Sequence, residues 1–157
     1  MANNDGLLPE FLVGLIKIAE KHTIRMAKKK GFDLPFVYNT SGYERIETLR
    51  SLAGLIDIYL TDFKYMSASL AERYSHAADY PAVATAALGE MMLQQPRCAY
   101  RGELMERGVI VRHLVLPGCV ENSLGVLDWI SENFRSGEIL VSIMSQYTPL
   151  GGLEAPF

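Results

Sequence analysis

Residues Arg107–Gly118 read RGVIVRHLVLPG. Between Val109 and Leu116 only Arg112 and His113 are not aliphatic. Such a near-continuous apolar run is the signature of a strand buried on both faces of a parallel sheet, because a half-solvated strand would alternate. Working outward, three more short runs share that character: Phe36–Tyr38, Ile56–Phe63 and Ile139–Met144.

Helical patterns lie between them. One is predicted over Pro9–Lys30, stopped by Gly31, with Lys28, Lys29 and Lys30 complementing the negative end of the helix dipole. A second is expected to start near Gly42, where Ser41 and Glu44 have the S-x-x-E spacing of a capping box. Two helical pieces follow the second strand, about Ala68–Tyr74 and Pro81–Gln95, the latter with proline in its first turn. The last spans about Ser123–Phe134. The order α-β-α-β-αα-β-α-β predicts an α/β fold of parallel strands joined by right-handed crossovers.

With 157 residues, 49% apolar and 21% charged, the chain is long enough for one core and unlike a disordered polymer. A net charge of −3 gives no electrostatic reason to expect nucleic acid as a partner. The apolar stretch Phe11–Ala19 is broken by Gly14 and Lys17 and falls short of the roughly 20 residues that span a bilayer. No membrane anchor is expected, nor a signal peptide, since Asp5 and Glu10 flank the stretch where a basic region would be required. Two cysteines, Cys98 and Cys119, fit free thiols in a reducing compartment, and a cytoplasmic location is expected. The small polar start, Met1–Asp5, and the aperiodic end, Gly151–Phe157, are expected to fray.

Parallel strands place their C-terminal ends on one side, which is where such folds collect their chemistry. Here the strand tips carry Asn39, Thr40 and Ser41; Asp62 and Lys64; Arg112 to Pro117; and Ser145, Gln146 and Tyr147. Asp62 and Lys64, two apart in an extended chain, project the same way. A carboxylate beside the lysine holds it charged, so the pair suits an amino acid zwitterion, with Lys64 on its carboxylate and Asp62 near its ammonium; a salt bridge closing the rim is the structural alternative. Arg112 would be costly to bury unpaired, so it should face a polar cavity, with Asp62 or a bound anion as partner, or form a purely structural ion pair. Leu114 would offer that cavity an apolar surface suited to an adenine ring. His113 points to the other side of its strand and reads as a hydrogen-bonded core residue. Asn39 is a better ligand candidate than Ser41, which the capping box would occupy. No phosphate-binding glycine string occurs.

The strings VYNTSGYE (Val37–Glu44), DIYLTDFKY (Asp57–Tyr65), RGVIVRHLVLPG and SIMSQYTPLG (Ser142–Gly151) together resemble the later strands of the radical S-adenosylmethionine superfamily, most closely the pyruvate formate-lyase activating enzymes. The resemblance covers about Ile24–Gly152. It implies a partial (β/α) TIM-like barrel, here with about four parallel strands and flanking helices in a single domain over residues 1–157. It also implies S-adenosylmethionine bound at the strand tips against a [4Fe-4S] cluster, and a glycyl radical enzyme as protein substrate. By motif, Asn39, Ser41, Asp62, Lys64, Arg112 and Leu114 match cofactor-binding tips, and Gln146 or Tyr147 occupies the last, where activating enzymes can carry histidine.

The resemblance stops at the front, because the three-cysteine C-x-x-x-C-x-x-C loop that holds the cluster is missing. No cluster is expected in this chain, no catalytic residue is assigned, and a barrel cut in this way is expected to self-associate through its open edges. Two other readings stand beside this one: a cluster-free lyase using Lys64 as an imine-forming nucleophile, and a non-catalytic α/β interaction module.

Overall fold

The computed structural model describes residues 21–146, and the chain divides into two compact units, residues 1–34 and 35–157. In the first, residues 21–29 are helical. This helix ends in a two-bond cap: the Phe32 amide donates to the Ala27 carbonyl (3.1 Å) and the Gly31 amide to that of Lys28 (3.2 Å). That closure puts Gly31 at φ +83°, a left-handed conformation glycine adopts freely, and leaves the lysine run in the last turn as expected. The expected start of the helix, residues 9–20, lies outside the described residues.

The second unit is an α/β fold. Its elements are β1 (Val37–Thr40), α1 (Ile46–Arg50), β2 (Ile58–Asp62), α2 (Ala68–Ser75), α3 (Tyr80–Gln94), β3 (Ala99–Arg101), β4 (Leu104–Leu114), α4 (Val120–Asn133) and β5 (Ile139–Met144). β1, β2, β4 and β5 lie side by side in that order, all parallel. Asp62 stands opposite Arg112, and Arg112 opposite Ser142, so these three share a row and a face. The flanking helices complete a partial (β/α) fold.

Two expectations need correcting. β4 begins five residues before Val109, because Leu104–Arg107 pairs antiparallel with β3 as a hairpin at the N-terminal end of the sheet. The exposed, charged string RGELMER carries no strand-like apolar run, so the hairpin leaves little trace in the sequence. There is also no capping box. The helix after β1, α1, starts at Ile46 behind Arg45, without a side-chain cap, and Glu44 instead accepts hydrogen bonds from Thr40 (2.8 Å) and Tyr38 (3.0 Å). The turn at Gly42 (φ +82°) sends the chain back so that Glu44 faces the strand it has just left.

The helices cover one face of the sheet. Tyr59, Thr61 and Phe63 of β2 and its extension, with Val109, Val111 and His113 of β4, are at most 2% exposed. They lie among Leu49, Ala84, Leu88, Met91, Val126 and Ile130, all buried, and Trp129 meets Phe63 edge-on at 5.4 Å. Tyr59 donates to Gln94 (2.6 Å), whose amide donates in turn to Glu90 (2.9 Å), and Arg50 reaches the other Glu90 oxygen (3.1 Å). The opposite face is less covered: Leu60, Asp62, Ile110, Arg112, Ser142 and Met144 are half-buried, and Leu140 is exposed.

Burial, with the Glu90 carboxylate adding repulsion, pushes the Tyr59 hydroxyl up to about 12 from 10.0. A raised acid favours the folded state while it is neutral. Its contribution is therefore complete below pH 10 and is lost as pH rises towards 12. Urea denaturation across that window is expected to show stability falling with pH, and Tyr59→Phe should flatten the fall; an unchanged slope would refute the assignment. Gly42 makes a second prediction. A methyl there would collide with the Asp62 carbonyl, whereas one at Gly54 (φ +73°) would meet nothing within 4 Å. Gly54→Ala should cost about 1–2 kcal/mol, the left-handed penalty alone, and Gly42→Ala clearly more in the same denaturation assay.

Candidate functional site

Three parallel strands end side by side, and each contributes a polar side chain to one cluster. Arg112, near the end of β4, donates through Nε to Oδ1 of Asp62 (2.9 Å) and through Nη2 to Oδ1 of Asn39 on β1 (2.9 Å), and its Nη2 lies 2.7 Å from the same Asp62 oxygen as an ion pair. Lys64, two residues beyond Asp62, holds Nζ 3.8 Å from the other Asp62 oxygen. One carboxylate is thus shared between two cations, a guanidinium on Oδ1 and an ammonium on Oδ2. The cluster carries two positive charges against one negative, with Lys64 the more solvated cation (side chain 41% exposed, against 29% for Arg112).

Asp62, Lys64 and Arg112 form one wall of a hollow of about 340 Å³, with Tyr65, Leu114, Leu116 and Met144 as the rest of its lining. The apolar part comes from the end of β4, its extension, and β5. A charged end beside an aliphatic wall suits an amphipathic ligand that presents an anionic group and an apolar body.

What holds the tip in place is mostly buried. Beyond β2 the backbone leaves the sheet, and side chains from other elements meet its polar groups. Tyr80, at the start of α3 and 3% exposed, accepts from the Lys64 amide (3.0 Å) and donates to the carbonyls of Ser41 (2.9 Å) and Asp62 (3.3 Å). Burial pushes its hydroxyl well above the ordinary tyrosine value, the Lys64 amide partly opposing this. His113 lies 2.7 Å from the Phe63 carbonyl through Nδ1 and 2.8 Å from the Ser123 hydroxyl through Nε2. The carbonyl can only accept, so Nδ1 carries a proton, and in the neutral ring Nε2 accepts from Ser123. Asn122 donates to the Lys64 carbonyl (3.0 Å) and accepts from the Met66 and Ser67 amides (2.9 and 3.2 Å).

Of the residues proposed from sequence, Asn39, Asp62, Lys64 and Arg112 are brought together, and Leu114 lines the same hollow. Ser41 and Gln146 are exposed and do not line it; Ser41 takes part through its carbonyl alone. Tyr147 lies outside the described residues. Sequence reasoning missed Tyr80, Asn122, Leu116 and Met144. Alternation along β5 would have put Met144 on the face of Ser142, whereas Tyr80 and Asn122 stand in helices where nothing local marks them.

The donors a [4Fe-4S] cluster needs are not gathered here. Cys98 packs against Gly108 at the N-terminal end of the parallel part of β4, and Cys119 follows its C-terminal end. Six strand steps of about 3.3 Å separate Gly108 from Leu114, on the order of 20 Å. Among the described residues no group of three or more His, Cys, Asp and Glu side chains is placed to hold a metal ion.

No family model matches the chain, and no solved structure matches it. An uncharacterized protein of Methanocaldococcus jannaschii is 31% identical over 123 residues, an alignment that covers 74% of this chain and 30% of that protein. The chain therefore spans less than a third of the length of this relative. Among the described residues no helix is long and apolar enough to cross a membrane.

The two ion pairs differ enough to be told apart by mutation. Arg112→Met removes one hydrogen bond and an ion pair from a half-buried carboxylate and one hydrogen bond from an amide, and is expected to cost about 1–3 kcal/mol in urea denaturation. Lys64→Met, at a longer and wetter contact, should stay below about 0.5 kcal/mol. A reversed order would mean that Lys64 is the structural partner of Asp62.

Proposed function

We propose that this chain supplies part of the S-adenosylmethionine pocket of a radical S-adenosylmethionine-type barrel, of the kind that activates glycyl radical enzymes. The observation that carries the reading is the meeting of Asn39, Asp62, Lys64 and Arg112 at three strand tips, beside an aliphatic wall. Lys64, the more exposed cation, would take the carboxylate of the methionyl group, and Asp62 its ammonium. Leu114, Leu116 and Met144 would pack against the adenine ring.

Bound S-adenosylmethionine supplies the 5′-deoxyadenosyl group that such enzymes use, after reduction by a cluster. The residues of this chain do not fit that cluster, because two cysteines at opposite ends of β4 cannot replace three in one loop. This chain's part is accordingly to bind and orient. Cluster chemistry and the contact with a glycyl radical enzyme would belong to sequence beyond it.

The chain would reside in the cytoplasm, where its two half-buried free thiols stay reduced. Within the described strands β1 and β5 each have one neighbour, and exposed Val37 and Ile143 stand on them. That arrangement supports pairing with further strands, from a second copy or from a partner chain.

Isothermal titration of the chain with S-adenosylmethionine tests the reading. Binding is expected, with Lys64→Met and Asp62→Asn each weakening it about tenfold or more, the scale of one charge-assisted hydrogen bond. Absence of binding would sink the proposal. Borohydride trapping of a carbonyl compound on Lys64 would replace it with an imine-forming lyase.

A further inference from the structure

We propose that Tyr80 is the positioning residue of the candidate site: its one hydroxyl sets the separation of the β1 and β2 tips and thereby places Lys64 and Asp62 relative to Asn39 and Arg112. The inference deepens the function proposed above and uses that reading only for its ligand.

The geometry comes from a single oxygen atom. Tyr80 Oη lies within 3.3 Å of the Ser41 carbonyl, one residue past β1, and of the Asp62 carbonyl, which ends β2, and it accepts from the Lys64 amide at 3.0 Å. A phenol has one proton and accepts with its lone pairs, so these contacts amount to one donation shared between two carbonyls and one acceptance. The same atom therefore ties two neighbouring strands at the point where the ladder between them has stopped: Thr40 and Thr61 are the last residues of β1 and β2 that pair with each other.

Close packing leaves that atom little freedom. The backbone at Gly42 comes so near that a Cβ there would stand 3.1 Å from Tyr80 Oη and 3.2 Å from Thr61 Oγ1. The ring is held on two sides, stacked on Tyr43 at 6.0 Å and met edge-on by Tyr65 at 5.4 Å. Tyr65 also lines the hollow, so a displacement of the Tyr80 ring would reach the ligand wall as well as the tips. Pro81 fixes the first turn of α3, which presents the ring.

None of these contacts touches a ligand directly, and Tyr80 is not in the lining of the hollow. Its effect passes through the backbone. The side chains of Asp62 and Lys64 leave from the segment whose carbonyl and amide the hydroxyl binds, while Arg112 is anchored separately through β4. Losing the hydroxyl should therefore shift the Asp62–Lys64 segment against Arg112 and Asn39 without dismantling the sheet.

The experiment compares the intact chain with Tyr80→Phe, and with Tyr43→Phe as a control that loses only the exposed bond to Asp79. Amide exchange at Lys64 and the side-chain Nε–H resonance of Arg112 are read by NMR in the ligand-free protein. Tyr80→Phe is expected to speed Lys64 exchange about tenfold, as loss of one buried hydrogen bond implies, and to move the Arg112 resonance. Amides in the middle of β4 should keep their rates, and Tyr43→Phe should change neither signal. Should Tyr80→Phe fail to fold, 3-fluorotyrosine at position 80 keeps the hydroxyl while altering its donor strength, and must move the same two signals. An unchanged Arg112 resonance in whichever variant is measured overturns the inference.

Titration with S-adenosylmethionine adds a second arm, in which Tyr80→Phe should weaken binding about tenfold and Tyr43→Phe should not. If the unmodified chain does not bind S-adenosylmethionine, the proposed function fails while the ligand-free signals still decide the role of Tyr80.

Discussion

Everything at the candidate site depends on how the chain leaves β2. A parallel strand that stops inside a fold exposes amides and carbonyls that the ladder no longer pairs, and buried polar backbone groups without partners are costly. Here the segment from Asp62 to Ser67 meets that constraint with three side chains from three other elements. Tyr80 reaches from α3, His113 from β4 and Asn122 from α4. The exit of β2 is thereby tied to the helical layer, and Asp62 and Lys64 leave a backbone whose path is set from several directions.

That rigidity matters because the charges are imbalanced. Asp62 accepts from Arg112 with one oxygen and lies near Lys64 with the other, so a single carboxylate holds two cations apart. Two mobile cations would separate to solvent and leave no defined seat for an anion. Anchored as they are, they leave the Lys64 ammonium incompletely neutralised beside a hollow whose other wall is Leu114, Leu116 and Met144. One strand supplies both features, since β4 changes from guanidinium at Arg112 to isobutyl at Leu114 within two residues.

Much of this was legible in the sequence, and what was not shares one physical reason. The four parallel strands were readable because burial on both faces demands continuous apolar runs, and the Asp62–Arg112 contact because a guanidinium amid aliphatics must find a partner. The β3–β4 hairpin was not, since its residues are exposed and charged and are held by backbone pairing that leaves no compositional mark. Ser41 and Glu44 misled for a related reason: their spacing fits a cap, yet tertiary geometry gave Glu44 to Tyr38 and Thr40 and left the helix to begin later. Tyr80 and Asn122 act across 16 to 58 positions of sequence, and no local pattern encodes contacts of that range.

The uneven covering of the sheet gives the site its direction. On the helix side, Tyr59, Val109 and Val111 are sealed, and the one titratable side chain reaching in from β4, His113, spends both ring nitrogens on internal partners. On the other side, Leu60, Ile110 and Leu140 lead without interruption to Asp62, Arg112 and Ser142 in the next row. A ligand or a further chain segment laid along that face would bury aliphatic surface and approach the charged tips in one motion. Apolar burial contributes about 25 cal/mol per Å², whereas the partly solvated ion pairs contribute little on their own. Aliphatic surface would therefore supply most of the area buried, while the Asp62, Lys64 and Arg112 cluster would select which end of the ligand faces the tips.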